Sequence, residues 1–420
     1  MESLDSAADQ IRAAYADIDP DVAELLKEDK EAVMNIQVSF DGTWQKRGFT
    51  SNYGIGVCID ILTGLVIDYE VLSLYCHACV LKEGQHRDNE ISEEQLLGWQ
   101  ELHASDCAKN FCGSSKAMEQ ESAKRMWARS LTRHHFRYTE MLSDGDSTAY
   151  NAVVGLDPYA GVEITKLECI NHTHKRMGTA LRKLSAEKRL GGKGVGKLTA
   201  HKCKTLQNYY RGAIVNNLGD VDGMKNAIWA GLLHSMSTDE TPFHTRCCPS
   251  WCWYLQAMEK GEDPIGSHTI HTAHSFLNKE IGKQLLPVYH RMSNDYLLKR
   301  MQHGKTQNAN ECLNSVIWSR CPKTVFVGKG RVQAAAGMAV ATFNEGATAL
   351  SAVMDKLWLE SSVVSLQVIQ WEDEQRIARA DTASSESQRR KRKSIDTLKK
   401  VKQHQQQLKE GITYGAGIAD

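Results

Sequence analysis

Three carboxylates far apart in the chain, Asp41, Asp144 and Glu311, stand at the edges of patterned segments. Asp41 closes the alternating run Ile36, Val38, Phe40 and precedes Gly42. Asp144 follows a strand-like run and lies in Ser143-Asp144-Gly145-Asp146, while Glu311 opens a helical run that Asn308-Ala309-Asn310 can cap. Taken singly, each is an ordinary turn or first-turn acid. Taken together they suit a hard divalent cation, Mg²⁺ or Mn²⁺, which binds carboxylate oxygens. Two such ions roughly 4 Å apart stabilise charge on the attacking and leaving oxygens of a phosphodiester. Asp146 competes with Asp144 for the second position. Asp144 is preferred because it directly follows the strand, whereas Asp146 is placed to cap the next helix.

The cysteines point to a second kind of metal. Cys76-His77-Ala78-Cys79, then Cys107 and Cys112, form a C-x2-C, long loop, C-x4-C pattern that suits tetrahedral zinc on four thiolates. His77 or His103 can replace one of these ligands. A further group, His234, His244, Cys248 and Cys252, with Cys247 as the alternative third ligand, can close another structural zinc site. Buried free thiols are the competing explanation, and it is stronger for the second group than for the first. Cys169 and His172, spaced C-x2-H just past a strand, form a pair adjacent to the inferred acidic centre, either packing and tuning it or binding metal.

Between residues 175 and 204 the chain carries Lys175, Arg176, Arg182, Lys183, Lys188, Arg189, Lys193, Lys197, Lys202 and Lys204 against one acid, Glu187. Such an excess suits contacts to nucleic-acid phosphates, with Lys175, Arg176, Arg182, Lys183, Lys193 and Lys197 as the DNA-binding candidates. The setting is not that of a nucleotide-binding loop, since no G-x4-G-K-[ST] pattern is present. Arg389 to Lys393 form an unbroken basic cluster that reads as a nuclear-import signal, which places the expected localisation in the nucleus.

Composition limits the alternatives. The 420 residues, 41% apolar with nine Trp, describe a chain of two to three folded units able to bury a sizeable core. The formal net charge of zero argues against a histone-like polycation. No run approaches the ~20 apolar residues of a membrane span, and the acidic start lacks the features of a secretory signal. An intracellular setting follows as the expectation, and in it twelve cysteines are better read as ligands and small apolar residues than as disulfides.

The elements that must position these residues follow a clear order. Residues 1–30 read as an amphipathic helical lead without chemistry. Strand patterns follow at 33–41, 53–61 and 65–74, the last two joined tightly as in a hairpin. A Cys-rich insert at 75–113 leads to a helical pattern at 115–134, a fourth strand at 137–142, a short helix at 147–154 and a fifth strand at 162–170. Three strands, a helix, a strand, a helix and a strand make an α/β chain in the order of the RNase H-like fold, an antiparallel meander extended by two parallel strands. On that topology the ends of the first and fourth strands are neighbours, so Asp41 and Asp144 converge. Residues 31–173 then form the first part of the core, 174–305 a mainly helical insertion domain and 306–345 the final core helices. Residues 346–420 form a charged C-terminal tail.

Several of these segments resemble the Mutator-like transposase domain. The resemblance rests on Phe40-Asp41-Gly42-Thr43-Trp44-Gln45-Lys46-Arg47-Gly48, Met141-Leu142-Ser143-Asp144-Gly145-Asp146 and Glu168-Cys169-Ile170-Asn171-His172 with Lys175-Arg176-Met177-Gly178. It continues through Gly304-Lys305-Thr306-Gln307-Asn308-Ala309-Asn310-Glu311 and residues 314–323, and spans roughly residues 34–343. It implies an RNase H-like (DDE) core with Asp41, Asp144 and Glu311 as the triad and with Cys169 and His172 as the family's C-x2-H element. It further implies divalent-metal-dependent cleavage and transfer of DNA strands at transposon ends. The implied partners are double-stranded DNA, as transposon end and as target, and further copies of the chain in a homo-oligomer. Cys247-Cys248-Pro249 departs from the family pattern, which has a single Cys before Pro.

Overall fold

A computed structural model of the protein describes residues 2–45, 51–264, 276–323, 325–359, 362–385 and 387. The basic cluster at 389–393 and Lys46 to Gly48 of the first motif lie outside the described residues. The chain divides into two compact units, Met1–Val340 and Ala341–Asp420.

The larger unit is mixed α/β. Its five-stranded sheet contains β1 (Met34–Trp44), β2 (Tyr53–Asp60), β3 (Val66–Ser73), β4 (Phe136–Ser143) and β5 (Thr165–Glu168), in the order β3-β2-β1-β4-β5. The first three strands pair antiparallel, and β4 joins β1, and β5 joins β4, in parallel. Alternation in β1 sends Ile36, Val38 and Phe40 into the core. β1 does not stop at Asp41 as its pattern suggests. Its pairing with β4 ends at Ser39↔Leu142, but β2 continues alongside to Trp44↔Gly54 and keeps the backbone extended.

The sheet is covered by α1 (Glu2–Ile18), α5 (Ala117–His134) and α6 (Thr148–Leu156). Trp127 of α5 fixes this layer, meeting Phe40 and Tyr138 edge-on at 6.0 and 5.2 Å and donating its indole N–H to the Tyr138 carbonyl. The helical lead is two helices, because Asp19 accepts from the next helix's N–H groups and Pro20 opens α2 (Pro20–Glu28). Arg12 of α1 donates to the carbonyls of Ala32 and His134, so this segment is tied to the sheet layer.

The Cys-rich insert contains α3 (His77–Arg87) and α4 (Glu93–His103), the latter opened by a Ser92–Gln95 capping box. Asn110 anchors the end of the insert to β3, accepting from Ser73 N–H and donating to the Val71 carbonyl.

β5 is shorter than its apolar run. The chain turns into α7 (Ile170–Glu187) directly after Cys169, and with α8 (Ala200–Val215), α9 (Val221–Ser235), α10 (Trp253–Glu259), α11 (Lys279–Met292) and α12 (Asp295–Lys299) it forms a helical region. This region has its own apolar core, built on Met177, Leu181, Leu206, Tyr210, Ile228, Leu285 and Tyr289. The chain returns to the sheet through α13 (Asn308–Arg320) and α14 (Lys329–Glu345). The smaller unit contains α15 (Thr348–Lys356) and most of its remaining described residues in α16 (Val363–Ser384). Among the described residues no helix is long and apolar enough to cross a membrane.

Candidate active site

The parallel register carries the first two carboxylates to one place. Ser39 lies opposite Leu142, so Asp41 and Asp144, each two residues further on, leave neighbouring strands at the same level. On the far side of β4, Ser143 lies opposite Glu168, which brings Cys169 and the start of α7 to that level too.

Helix α13 supplies the third. It starts at Asn308, one turn earlier than the Asn-rich segment suggests, with Gln307 at its N-cap donating its side-chain amide to the Phe40 carbonyl at 2.8 Å. Asn310 is fully buried, accepting from Ser39 Oγ at 2.5 Å and donating to the Ser39 carbonyl at 3.2 Å. Asn314 donates to Asp41 Oδ2 at 2.9 Å, and Trp318 Nε1 donates to Thr43 Oγ1 at 2.8 Å. Four polar side chains on successive turns thus dock α13 along β1, with Glu311 at its first turn.

Among the described residues the acids lie outside the groups whose ligand atoms fall within 4.8 Å of one another, but their charges act on Asp41. Burial, then the Asp144 carboxylate and to a lesser degree that of Glu311, push Asp41 up to about 7. Glu311 is held from α7 by His172 Nε2 at 3.3 Å and Lys175 Nζ at 3.4 Å. Asn171 bonds Asn308 at 2.9 Å, joining the starts of the two helices.

Asp146 is exposed and turned to local work. It accepts from the N–H and hydroxyl of Thr148, and those bonds hold its carboxyl below the usual range. Beneath the Asp144–Asp146 loop, the buried Lys166 donates to the Asp146 carbonyl and to Ser147, and stands 3.7 Å from Glu168. Arg176 pairs with Glu168 at 3.2 Å and lies against Gly145, where any Cβ would strike its guanidinium. Cys169 is buried and accepts from Gln307 N–H at 3.4 Å, while His172, in the first turn of α7, faces Glu311.

Two residues at this centre escaped the sequence reading. Asn314 has no signal beyond its spacing of one turn from Glu311. Glu119 does have one, being an acid on α5 between the buried Met118 and the buried Ser122 and Ala123. It packs against Gly42, and burial, then Asp144, Asp41 and Asp146, push it up to about 7.

Two Cys/His groups lie outside this centre, each with ligand atoms within 4.8 Å of one another. The first joins Cys76, Cys79, His103 and Cys107. Cys76 Sγ is 3.2 Å from His103 Nε2, and Cys79 Sγ is 3.5 Å from Cys107 Sγ. Cys112, expected as the fourth thiolate, is exposed and outside the group. The reason is α4, which ends at His103 and turns its ring toward Cys76, with Trp99 stacked on it at 4.4 Å. His77 bonds Tyr75 instead.

The second group joins His234, His244, Cys247 and Cys252. Its four Cys–His separations run from 3.5 to 3.8 Å. Zn–S bonds of ~2.3 Å and Zn–N bonds of ~2.0–2.1 Å at tetrahedral angles place S and N about 3.6 Å apart. The hydrogen bond between Cys247 and Cys252 holds Cys252 below the thiol range and Cys247, which burial also raises, above it. Ser237 bonds His244 Nε2 at 3.1 Å, which leaves Nδ1 to face the thiols. Cys248, the preferred third ligand from the sequence, is exposed and bonded to Ser250, and Cys247 occupies that corner. Both groups fit a structural zinc ion.

Of the basic candidates, Lys175, Arg182, Lys183, Lys193 and Lys197 are exposed, while Arg176 is partly buried against Glu168. Lys202, from the same run, is buried and offers little to a phosphate. Burial and then Lys204, with Arg211 and Lys175, hold His174 below its usual range.

Comparison with known proteins is consistent with this geometry. A family model described as Mutator-like transposase matches residues 5–252, more than half of the chain. The match includes Asp41, Asp144, Cys169, His172 and both Cys/His groups and ends before Glu311. No curated protein and no solved structure matches.

Proposed function

The chain belongs to the Mutator-like transposase family, and on that premise we propose that it is a DNA transposase of the DDE type, built on an RNase H-like core. The observation that carries this reading is the side-by-side departure of Asp41 and Asp144 from β1 and β4, with Glu311 in the first turn of a helix that Asn314 docks on Asp41. The strand order β3-β2-β1-β4-β5 supports the same core.

Asp41, Asp144 and Glu311 would hold Mg²⁺ or Mn²⁺. Bound there, two divalent ions supply charge stabilisation at the attacking and leaving oxygens of a phosphodiester. Asn314 orients Asp41, and His172 with Lys175 restrains Glu311 until a cation joins the carboxylates. Lys175, Arg176, Arg182, Lys183, Lys193 and Lys197 carry the phosphates of the transposon end and of the target away from the acids along the helical region. The two Cys/His groups hold zinc and brace the insert after β3 and the loop after α9. Recognition of two ends calls for a homo-oligomer working in the nucleus, where the Arg389 to Lys393 cluster would direct it.

The test is nicking of a supercoiled plasmid bearing the element ends, in Mg²⁺ or Mn²⁺. Asp41→Ala, Asp144→Ala and Glu311→Ala should each abolish nicking, and Asp146→Ala should retain it. A parent protein that binds DNA and cuts it under neither metal would overturn the enzymatic reading and leave a DNA-binding module.

A further inference from the structure

A cavity of about 490 Å³ opens in the helical region between α9, α11 and the loop that follows α9, and none of its lining residues belongs to the acidic centre. Its volume falls in the range of about 300–1,000 Å³ that suits a small ligand. Trp229 and Leu233 of α9 and Leu286 of α11 supply the apolar lining. The indole is already fixed in place. Its Nε1 donates to Ser293 Oγ at 3.1 Å, and the ring of His290 meets it at 4.8 Å and 62°.

Cations line the same hollow. Lys225, one turn before Trp229, is matched by Asp295 at 2.7 Å. Arg246 is not matched: among the described residues no carboxylate pairs with it. Asn226 of α9 holds it instead, accepting from its Nη1 at 3.1 Å and donating to its carbonyl at 3.3 Å. Those two bonds turn the loop back onto α9. Arg246 stands between His244 and Cys247, so the second Cys/His group closes the loop that carries it.

Packing accounts for Trp229 and Leu286, which border the core of the helical region. It does not account for a guanidinium without an acid beside a fixed indole. An aromatic base stacks on such a ring, and its phosphate pairs with arginine. Asp222 also lines the cavity and offers an acceptor to the N–H groups of a base, so the lining suits a ligand that donates at one end and is anionic at the other.

We propose that this cavity is a nucleotide site, taking one aromatic base against Trp229 with its phosphate on Arg246. The ligand is a free mononucleotide or an unpaired nucleotide of a DNA strand, which share this chemistry. The site shares no residue with the acidic centre and stands whether or not that centre cuts DNA.

The test is binding to the zinc-loaded full chain of deoxyadenosine monophosphate, by equilibrium dialysis, and of a fluorescein-labelled single-stranded oligodeoxyadenylate, by fluorescence anisotropy. Trp229→Leu and Arg246→Ala should each weaken binding of at least one probe about tenfold. Lys283→Gln, on α11 but paired with Glu280, should match the parent. A fully paired duplex, whose bases offer no free face, should bind the parent and both cavity variants alike. Loss of the mononucleotide marks a free nucleotide as the ligand, loss of the strand alone marks unpaired DNA, and either supports the site. If the parent binds neither probe, if both variants bind both probes as the parent does, or if they lose duplex as much as single strand, the cavity is no nucleotide site. Should Trp229→Leu fail to fold, Arg246→Ala, which changes an exposed side chain, decides alone.

Discussion

The amide of Asn314 donates 2.9 Å to Oδ2 of Asp41, joining the helix that carries Glu311 to the strand that carries the first aspartate. Asn314 lies one turn beyond Glu311, so this bond sets both the orientation of Asp41 and the approach of its helix.

Asn314→Ala should therefore reduce plasmid nicking by about tenfold, the loss of one hydrogen bond to a charged group. DNA binding should be unchanged, because among the described residues the Asn314 side chain bonds Asp41 and no basic residue of α7 or α8. Parent-like nicking would show that Asp41 needs no such restraint. Asn310→Ala removes a buried amide that ties α13 to β1. It should lower stability by about 1–3 kcal/mol in urea unfolding.

The first Cys/His group predicts a contrast between two neighbours. His103→Ala and Cys107→Ser should each remove one zinc per chain by atomic absorption and destabilise the protein by about 2 kcal/mol or more. Cys112→Ser should leave zinc content and melting temperature alone. Zinc retained by His103→Ala but lost from Cys112→Ser would reverse the assignment.

Adjacent cysteines should separate in the same way at the second group. Cys247→Ser and Cys252→Ser should each cost one zinc, and Cys248→Ser none. Ser237→Ala should keep the metal but bind it about ten times more weakly, since His244 loses a hydrogen-bond partner at Nε2. Chelator competition measures the difference.

A pH dependence follows from His303. It bonds the Arg300 carbonyl through Nε2 and accepts the Lys305 N–H at Nδ1, and burial, opposed by the Arg300 bond and aided by Lys305, pushes it down to about 4. The folded state therefore resists a proton that the unfolded chain accepts near 6.5. Stability contributed by neutral His303 is fully present above about 6.5 and is lost as pH falls toward about 4. His303→Gln should flatten the melting temperature between these limits. An unchanged slope would mean that other groups govern it. The loop matters to the site, since Arg300 and Lys305 offer their carbonyls to Glu168 and Ile170, on either side of Cys169.

Much of the frame was legible because it depends on local pattern. Alternation in residues 34–40 and 136–143 encodes strands with one buried face, and Asp144-Gly145 marks where the second run ends, whereas Asp41-Gly42 lies inside β1. The helices α3 and α4 were less legible. Their buried contacts are few, so no apolar stripe announced them. Helix α13 was displaced by one turn in the reading because Asn308 and Asn310 look like caps, whereas Asn310 spends its amide on β1 rather than on its own helix.

Residue type and spacing alone determined that this chain carries well-separated acids at element ends, two clusters of thiols and imidazoles, and a basic stretch between residues 175 and 204. Those are properties of local order, and local order is written along the chain. Tertiary structure alone decided which of several equivalent residues each cluster uses. His103 rather than Cys112 faces Cys76 because α4 ends there, and Cys247 rather than Cys248 faces the two histidines because neighbouring residues in a turn point apart. Glu119 meets Gly42, and Asn314 bonds Asp41, from helices about eighty and more than two hundred and fifty residues further along the chain. Distances set by packing between remote elements leave no trace in spacing, so the pattern of α5 could single out Glu119 as an acid among buried residues but not say what it meets.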